Sequence, residues 1–274
     1  MDKSISVVVS VYNEDKALDE FYRETSRVLE ETCWDWELIF VNDGSADSSL
    51  PVLKGLAAAQ ERVKIISFSR NFGHEAAMIA GMDYSTGEVV VCMDADLQHP
   101  PKLLKEMYHV LKTEGYDCCA GLREDRTGEN KVRSVLSRTF YKIIRKTCKL
   151  DMGDGKGDFR MMNRTMADSV LELKEYNRYM KGIFSFVGFD TKWIPFHNVE
   201  RTAGETKWSL RSLFRYAVDG ILSFSSAPVT MAGTTGALLI LAAAAVGIWA
   251  VLAGKGLTGI PLLVCLILLL NGVQ

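Results

Sequence analysis

The sequence predicts an α/β domain with a mostly parallel, Rossmann-like sheet, joined to an apolar C-terminal region. In residues 1–122, short β-branched runs alternate with stretches of helical periodicity, which is the pattern of strands linked by crossover helices. From Gly220 to Gln274 the only charged residue is Lys255, so the charge of this 274-residue chain lies almost entirely before residue 220. The charged region is large enough to bury a core of its own.

Five strands and four helices are predicted in the first region. The predicted strands are Ile5–Val11, Glu37–Asn42, Val63–Ser67, Val89–Met93 and Cys118–Gly121. The predicted helices between them are Lys16–Glu31, Ser48–Gln60, His74–Tyr84 and Lys102–Thr113. Their alternation along the chain favours one layered sheet flanked by helices.

Charge and cysteine content narrow the classes of function. The 32 Lys and Arg residues nearly balance the 34 Asp and Glu residues, and this balance argues against nucleic acid as the main partner. The six cysteines form no CxxC pair and are predicted to be reduced core residues in a cytosolic environment. No GxGxxG follows the first strand, so a dinucleotide-binding site is disfavoured. Ile5–Val11 lacks a cleavage site and indicates a strand rather than a signal peptide.

The C-terminal region predicts two membrane-spanning helices. Val229–Ala253 is 25 uncharged residues, long enough to cross a hydrocarbon core of about 30 Å, and Gly256–Gln274 adds 19 more. Basic residues before the first span outnumber the single Lys255 in the short link, so the positive-inside rule places the large domain in the cytoplasm. The chain stops at the far end of the second span, which we interpret as a truncated or unusual terminus. A buried pair of soluble helices is the alternative interpretation.

Two stretches have the pattern of amphipathic helices at a membrane surface. Residues 131–149 carry seven basic residues and no acidic one, with apolar residues at helical spacing. Residues 208–226 place Arg211 and Arg215 opposite an apolar face. Taken alone, the first stretch fits a solvated helix packed on its own domain equally well. The predicted divisions are a cytoplasmic domain at 1–207, a juxtamembrane helix at 208–226 and two transmembrane helices within 227–274.

Polar clusters follow three of the predicted strands, where ligands bind in open α/β sheets. They are Tyr12-Asn13-Glu14, Asn42-Asp43-Gly44-Ser45 and Asp94-Ala95-Asp96-Leu97-Gln98. The paired carboxylates of the third cluster suit Mg²⁺ or Mn²⁺, which complete their shells with water and a ligand's phosphates. Each cluster taken alone also fits ordinary turn and helix-cap chemistry.

Taken as a set, these motifs resemble those of the family 2 glycosyltransferases with a GT-A fold. The matching segments are Val7 to Glu14, Val41 to Ser45, Arg70 to Gly73 and Met93 to Pro101. Gly157 to Met162 and Arg201 to Trp208 are similar to the branch that transfers a sugar from a nucleotide donor to a polyprenyl phosphate. That branch contains the dolichyl-phosphate-mannose-synthase-like and the bacterial undecaprenyl-phosphate glycosyltransferases. The family usually has Pro where Ser10 stands and a tail after the second span.

The resemblance implies roles for individual residues. Asp94, Asp96 and Gln98 would surround the metal, and Asp158 would be the base in an inverting single displacement. A role for Asp158 in positioning the acceptor is the alternative, because a phosphate monoester with a second pKa near 6 is already largely dianionic at pH 7. The implied catalytic set is Asp158, Asp96 and Arg201. The implied donor-binding set is Tyr12, Asn13, Glu14 by the ribose, Asp43 on the nucleoside, Asp94 and Lys207.

Cations are needed beside the acceptor phosphate and the donor diphosphate, and Arg is favoured for bidentate phosphate contact. The candidates are Arg123, Arg126, Arg160, Arg201 and Lys207. For Arg126 a solvated salt bridge is an equally good interpretation, because acidic residues lie close by in the sequence.

The resemblance therefore implies a membrane-bound, metal-dependent transferase of cell-wall or glycolipid synthesis. Its donor would be UDP-glucose or UDP-N-acetylglucosamine, its acceptor undecaprenyl phosphate in the bilayer, and a homo-oligomer is expected. One alternative is a mannosyltransferase that uses GDP-mannose. A processive polysaccharide synthase is less favoured, because the sequence contains no Gln-x-x-Arg-Trp motif. A non-catalytic membrane scaffold is also less favoured, because all the carboxylates of the motifs are present.

Overall fold

The computed structural model describes residues 4–32, 35–123, 155–175, 178–197, 220–254 and 259–274, together with the single residues Cys148 and Val218. The chain divides into two compact units, Met1–Ser223 and Phe224–Gln274. Apart from Cys148, the basic stretch 131–149 lies outside the described residues, as does most of the stretch 208–226. Both amphipathic helices stay predictions.

The first unit contains a seven-stranded sheet with the strand order β3-β2-β1-β4-β6-β5-β7. The strands are β1 Ile5–Val11, β2 Trp36–Asn42, β3 Val63–Ser67, β4 Val89–Asp94, β5 Cys118–Arg123, β6 Lys156–Asn163 and β7 Thr191–Phe196. The helices are α1 Leu18–Thr32, α2 Ser49–Ala59, α3 His74–Asp83, α4 Leu103–Thr113, α5 Arg164–Glu172 and α6 Met180–Phe186. The predicted α/β fold is confirmed, and each predicted strand and helix of residues 1–122 is present.

Two strands of the sheet were not predicted. β6 pairs antiparallel with both β4 and β5, and β7 pairs parallel with β5. From the sequence, the glycines at positions 155 and 157 predict a turn around Asp158, and the structure differs from this prediction. Only Gly155 adopts a turn conformation, with φ of 81°, and the chain is a strand from Lys156 onward. Because it is antiparallel to β4, β6 begins at the edge of the sheet where β4 ends, and the polar residues at its start lie at that edge.

The core of the first unit explains why its central strands are so apolar. Each residue of β1 except Ser10 is buried, as expected for a strand covered by helices on both faces. Val7 and Val9 pack into the cluster that contains Phe21 of α1, whereas Val8 faces α3. Because side chains alternate along a strand, Ser10 points to the α3 face together with Val8.

The second unit is a pair of packed apolar helices, α7 Ala227–Leu252 and α8 Ile260–Val273. The helices come closest at two glycines, where a Cβ added to Gly272 would lie 2.7 Å from the Ile240 side chain. The Cys265 thiol donates to the carbonyl oxygen of Ala243 at 3.4 Å. The predicted apolar region therefore contains two helices.

The two helices differ in length. α7 has 26 residues and includes an 18-residue window of mean hydropathy 2.3, and it is the one helix in the described ranges long and apolar enough to cross a membrane. α8 has 14 residues, or about 21 Å, less than the hydrocarbon core of about 30 Å. It begins only at Ile260, because Gly259 adopts φ of 59° and Pro261 lies in the first turn. The second spanning helix over Gly256–Gln274 stays a prediction.

Candidate active site

Hydrogen bonds join the loops after β1 and β2 at the carboxyl edge of the sheet. The backbone N–H of Asn13 donates to Ser45 Oγ at 3.0 Å, and the N–H of Glu14 donates to Ser49 Oγ at 2.9 Å. Asn13 Oδ1 accepts a further backbone N–H of the second loop at 2.7 Å. Asn13 has φ of 54°, and the side chain of Tyr12 is exposed. The residues predicted to bind the donor thus lie beside the loop that contains Asp43.

The Asp43 carboxylate is buried and fixes a third loop. The backbone N–H groups of Phe72 and Gly73 donate to its two oxygens at 2.6 and 3.0 Å. Burial raises the pKa of Asp43, although these two bonds and the nearby His74 act in the opposite direction. Gly44 has φ of 65°, and a Cβ there would overlap the backbone of the third loop. Asp43 therefore organises the loops, and its predicted contact with the nucleoside stays a prediction.

Asp94 is the last residue of β4 and lies beside one hydroxyl group and two imidazole rings. Ser10 Oγ donates to Asp94 Oδ1 at 3.3 Å and lies 2.7 Å from His74 Nδ1. Since the single Ser10 proton goes to Asp94, the nitrogen of His74 is the donor in the second bond. Burial acts to raise the pKa of Asp94, but the charges of His74 and His99 and the bond from Ser10 outweigh it and lower that pKa. Asp94 is therefore ionised at neutral pH.

Two histidines without a predicted role, His74 and His99, also lie beside Asp94. His74 Nδ1 lies 3.6 Å from Asp94 Oδ1, and His99 Nδ1 lies 3.9 Å from Asp94 Oδ2. The ring of His99 stacks on Phe159, with centroids 4.8 Å apart and planes 10° apart. His74 begins α3 after the loop that follows β3, and His99 lies in the loop that follows β4, so their place in loops after strands is the signal that could have identified them.

Asp158 reaches the same cluster because β6 is antiparallel to β4. The register ends with the pair Cys92 and Arg160, and its continuation by two residues would bring Asp94 opposite Asp158. Asp158 Oδ2 lies 4.0 Å from Lys181 Nζ. Asp158 Oδ1 is buried and has no hydrogen-bond partner within the described residues. A buried carboxylate oxygen without a partner is costly, so its presence calls for an explanation in terms of a ligand.

The donor set at the end of β4 fits a divalent cation that arrives with a phosphate ligand. Asp96 Oδ1 accepts the N–H of Gln98 at 3.1 Å around Leu97, whose φ is 58°, so Asp96 stays close to the end of the strand. Within the described ranges, no group of three His, Cys, Asp or Glu side chains is placed to hold a metal on its own. Mg²⁺ is commonly held by one or two carboxylates, substrate phosphates and water, and the ionised Asp94 with Asp96 meets that requirement.

The predicted phosphate-binding cations occupy different environments. Arg123 is partly exposed at the end of β5, and its N–H donates to the Gly155 carbonyl at 3.0 Å. Arg160 is only 4% exposed, and its guanidinium carbon lies 3.7 Å from the centroid of the Phe184 ring. Burial under an aromatic ring favours an internal role for Arg160, in contrast to the phosphate contact predicted for it. The other three predicted cations, Arg126, Arg201 and Lys207, lie outside the described residues.

Comparison with known families decides which family this site belongs to. Residues 6–171 match the family described as glycosyl transferase family 2. The chain belongs to that family. The predictions of family 2 membership and of a glycosyltransferase are therefore confirmed, and the segment that contains α6 lies beyond the matched residues.

Several curated relatives of this glycosyltransferase are similar over most of their length. "Putative glycosyltransferase CsbB" of Bacillus subtilis (strain 168) is 44% identical over 237 residues, which are 86% of this chain and 71% of the relative. The prophage bactoprenol glucosyl transferase homolog of Escherichia coli (strain K12) is 34% identical over 98% of this chain and 89% of the relative. The bactoprenol glucosyl transferase of Shigella phage SfX is 33% identical over 98% of this chain and 90% of the relative.

Solved structures share the fold at lower sequence identity. A crystal structure described as a mycobacterial protein has a TM-score of 0.58 and 19% identity, covering 81% of this chain and 75% of that chain. Glucosyl-3-phosphoglycerate synthase from Mycobacterium tuberculosis, in complex with Mn²⁺ and UDP-glucose, has a TM-score of 0.55 and 19% identity over 81% and 79% of the two chains. These similarities agree with the predicted GT-A fold of the glycosyltransferase.

Proposed function

We propose that this glycosyltransferase transfers one sugar from a UDP-sugar to undecaprenyl phosphate, with inversion, at the cytoplasmic face of a membrane. Two relatives named for bactoprenol glucosyl transfer support the acceptor and favour glucose as the sugar. The complex of a structural neighbour with UDP-glucose supports a UDP donor. The apolar helix α7 supports attachment to the bilayer in which such an acceptor resides.

The observation that carries the proposal is the convergence of Asp94 and Asp158 at one end of the sheet. Transfer with inversion forms a bond between the anomeric carbon and an acceptor phosphate oxygen while the bond to the UDP oxygen breaks on the opposite face. The site must therefore hold a diphosphate and a phosphate on either side of one sugar. Carboxylates from β4 and β6, two strands that run in opposite directions, would serve these two sides.

On the donor side, Asp94 and Asp96, with Gln98, would hold Mg²⁺ or Mn²⁺ against the diphosphate. When bound, the cation supplies positive charge that stabilises the leaving UDP. The loop after β1, with Tyr12, Asn13 and Glu14, would bind the nucleoside and ribose. Asp43 would keep the neighbouring loops in place.

On the acceptor side, Asp158 would accept the hydrogen bond of a phosphate that still carries its proton, and the cations beside it would align the dianion for in-line attack. The acceptor is already largely dianionic at neutral pH, so alignment matters more than proton removal. Arg123 is placed on the adjacent strand β5, and we expect Arg126, Arg201 and Lys207 to supply the remaining positive charge.

Product analysis with the purified full-length chain tests this function. The chain is incubated with Mn²⁺, with vesicles that contain undecaprenyl phosphate, and separately with UDP-glucose, UDP-N-acetylglucosamine and GDP-mannose. We expect mass spectrometry to find undecaprenyl phosphate carrying one hexose from UDP-glucose. NMR of the product should show inverted anomeric configuration, and EDTA should abolish its formation.

Each alternative gives a different result in the same assay. A product from GDP-mannose alone would identify a mannosyltransferase, and a lipid-free polymer would identify a processive synthase. Binding of nucleotide sugars without any lipid product would indicate a membrane scaffold. Each of these outcomes would contradict the proposed function.

A further inference from the structure

We infer that Lys181 is a positioning residue of the transfer reaction, which holds the Asp158 carboxylate in the orientation that the acceptor needs. This inference rests on the function proposed above. Lys181 is the second residue of α6, and it lies beyond the residues 6–171 that match the family. None of the sequence motifs contains it.

The start of α6 is fixed to the start of α3. The backbone N–H of Met180 donates to Glu75 Oε2 at 3.2 Å, and Glu75 directly follows His74. The side chains of Tyr179 and Met180 are buried, so the backbone on either side of this bond is held by packing. This contact brings the start of α6, which includes Lys181, beside the start of α3, where His74 lies 3.6 Å from Asp94.

The contact between Lys181 and Asp158 is partly shielded from water. Lys181 Nζ lies 4.0 Å from Asp158 Oδ2, and the two side chains are 27% and 18% exposed. An ion pair with this degree of burial is stronger than a fully solvated pair. Lys181 is also close enough to act electrostatically on Asp94 and His74.

The orientation of Asp158 needs a partner of this kind. Asp158 Oδ1 has no hydrogen-bond partner within the described ranges, so the described contact of the carboxylate is made through Oδ2. Arg160, two residues further along β6, turns its guanidinium to the Phe184 ring and to the carbonyl of Gly157. Lys181 is thus the described cation that pairs with Asp158, and pairing on Oδ2 leaves Oδ1 to accept the proton of a protonated acceptor phosphate.

The first test compares single variants of the full-length chain in vesicles with UDP-glucose and undecaprenyl phosphate. Lys181→Met should lower kcat about 10–100-fold, the usual effect of losing a group that orients an active-site residue. The dissociation constant for UDP-glucose should not change. Lys181→Arg keeps the charge and should recover part of kcat.

Lys192→Met is the matched control, because Lys192 forms an ion pair with Glu114 at the protein surface. It removes the same charge and should leave kcat unchanged. If Lys181→Met lowers the melting temperature enough to prevent assay, Lys181→Gln removes the charge with less change in polarity and takes its place. A Lys181 variant without charge that turns over at the rate of the wild type would overturn the inference.

A double-variant cycle separates positioning from direct contact with the phosphate. If Lys181 acts through Asp158, Asp158→Ala combined with Lys181→Met should be no slower than Asp158→Ala alone, measured with radiolabelled donor. Effects that multiply would show that Lys181 acts independently of Asp158, and the inference would be wrong. An inactive wild type with each donor would instead contradict the proposed function.

Discussion

A buried and a partly exposed carboxylate lie at opposite ends of the strands, Glu37 at the start of β2 and Asp158 near the start of the antiparallel β6. Glu37 accepts hydrogen bonds from Ser6 Oγ at 2.5 Å, from the N–H and hydroxyl of Thr86 at 2.7 and 2.8 Å, and from Lys64. Asp158 has one contact to Lys181 and, within the described residues, one oxygen without a hydrogen-bond partner. Glu37 therefore accepts hydrogen bonds on both carboxylate oxygens, whereas Asp158 has one oxygen without a partner among the described residues.

The difference distinguishes a carboxylate that stabilises the fold from one that is kept for a ligand. Burial acts to raise the pKa of Glu37, but the hydrogen bonds from Lys64, Ser6 and Thr86 outweigh it and lower that pKa to about 2. Such a group stabilises the ionised, folded state. Asp158 has fewer hydrogen bonds within the described residues, which is expected where a carboxylate is kept for a substrate.

The largest expected effect is that of Asp96→Ala. A residue that holds the cation should be needed both for metal-dependent binding of UDP-glucose and for turnover, because the diphosphate is bound through the metal. We expect both to be lost, as measured by calorimetry and by lipid product. Asp83→Ala, at the exposed end of α3, is the control. Tight, metal-dependent donor binding by Asp96→Ala would remove Asp96 from the metal site.

The next effect is that of Asp158→Ala. Binding of UDP-glucose should survive, whereas kcat should fall by about 10²–10⁴-fold if Asp158 accepts a proton. A residue that only positions the acceptor should raise the KM for undecaprenyl phosphate more than it lowers kcat. We expect a mixed result dominated by kcat, because alignment of a dianion is itself an effect on rate. Wild-type kinetics would exclude Asp158 from the site.

A smaller effect is expected for Gly44→Ala in the donor loops. The left-handed backbone at Gly44 and the overlap with the third loop should cost about 1–3 kcal/mol and raise the KM for UDP-glucose. Gly55→Ala is the matched control, because nothing lies within 4 Å of the added Cβ and the residue is in helix α2. The control should be neutral or slightly stabilising. Equal effects of the two substitutions would show that Gly44 is not required by its backbone.

The smallest expected effect concerns acid stability. The folded-state pKa of Glu37, about 2, is below its ordinary value of 4.5. Its stabilisation is therefore complete above about pH 4.5 and is lost as the pH falls toward 2. Thermal melts of Glu37→Gln should show a shallower loss of stability across this window than melts of the wild type. If the melting temperatures of the two proteins fell equally steeply with pH across this window, Glu37 would not contribute this pH-dependent stability.

The sequence was sufficient for the regular part of the fold and for the residues that directly follow strands. Alternating apolar runs predicted β1 to β5, and carboxylates at strand ends predicted the position of Asp94. β6 was missed because its glycines and its charged Asp158 and Arg160 interrupt the apolar pattern of a buried strand. The pattern within a strand also does not indicate its direction or register against a partner 60 or more residues away in the sequence.

Residues whose role depends on distant partners were also beyond the reach of the sequence. Arg160 has the residue type expected of a phosphate ligand, and only the position of Phe184 shows that its charge faces inward. His74 and Lys181 act on Asp94 and Asp158 through contacts between elements that the sequence separates. Composition and spacing cannot reveal such contacts, because they depend on tertiary packing.

The measurement that tests the central claim most directly pairs Glu37→Gln with Asp158→Asn. Both replace a carboxylate by an amide. Ser6, which contacts Glu37, and Ser10, which contacts Asp94 at the other end of the sheet, are about 13 Å apart along β1. Glu37→Gln should lower the free energy of unfolding by about 1–3 kcal/mol, because donors lose their acceptor, and should leave kcat unchanged. Asp158→Asn should leave the melting temperature unchanged or higher and should lower kcat for lipid glycosylation. Loss of stability with full turnover in Asp158→Asn would contradict the account.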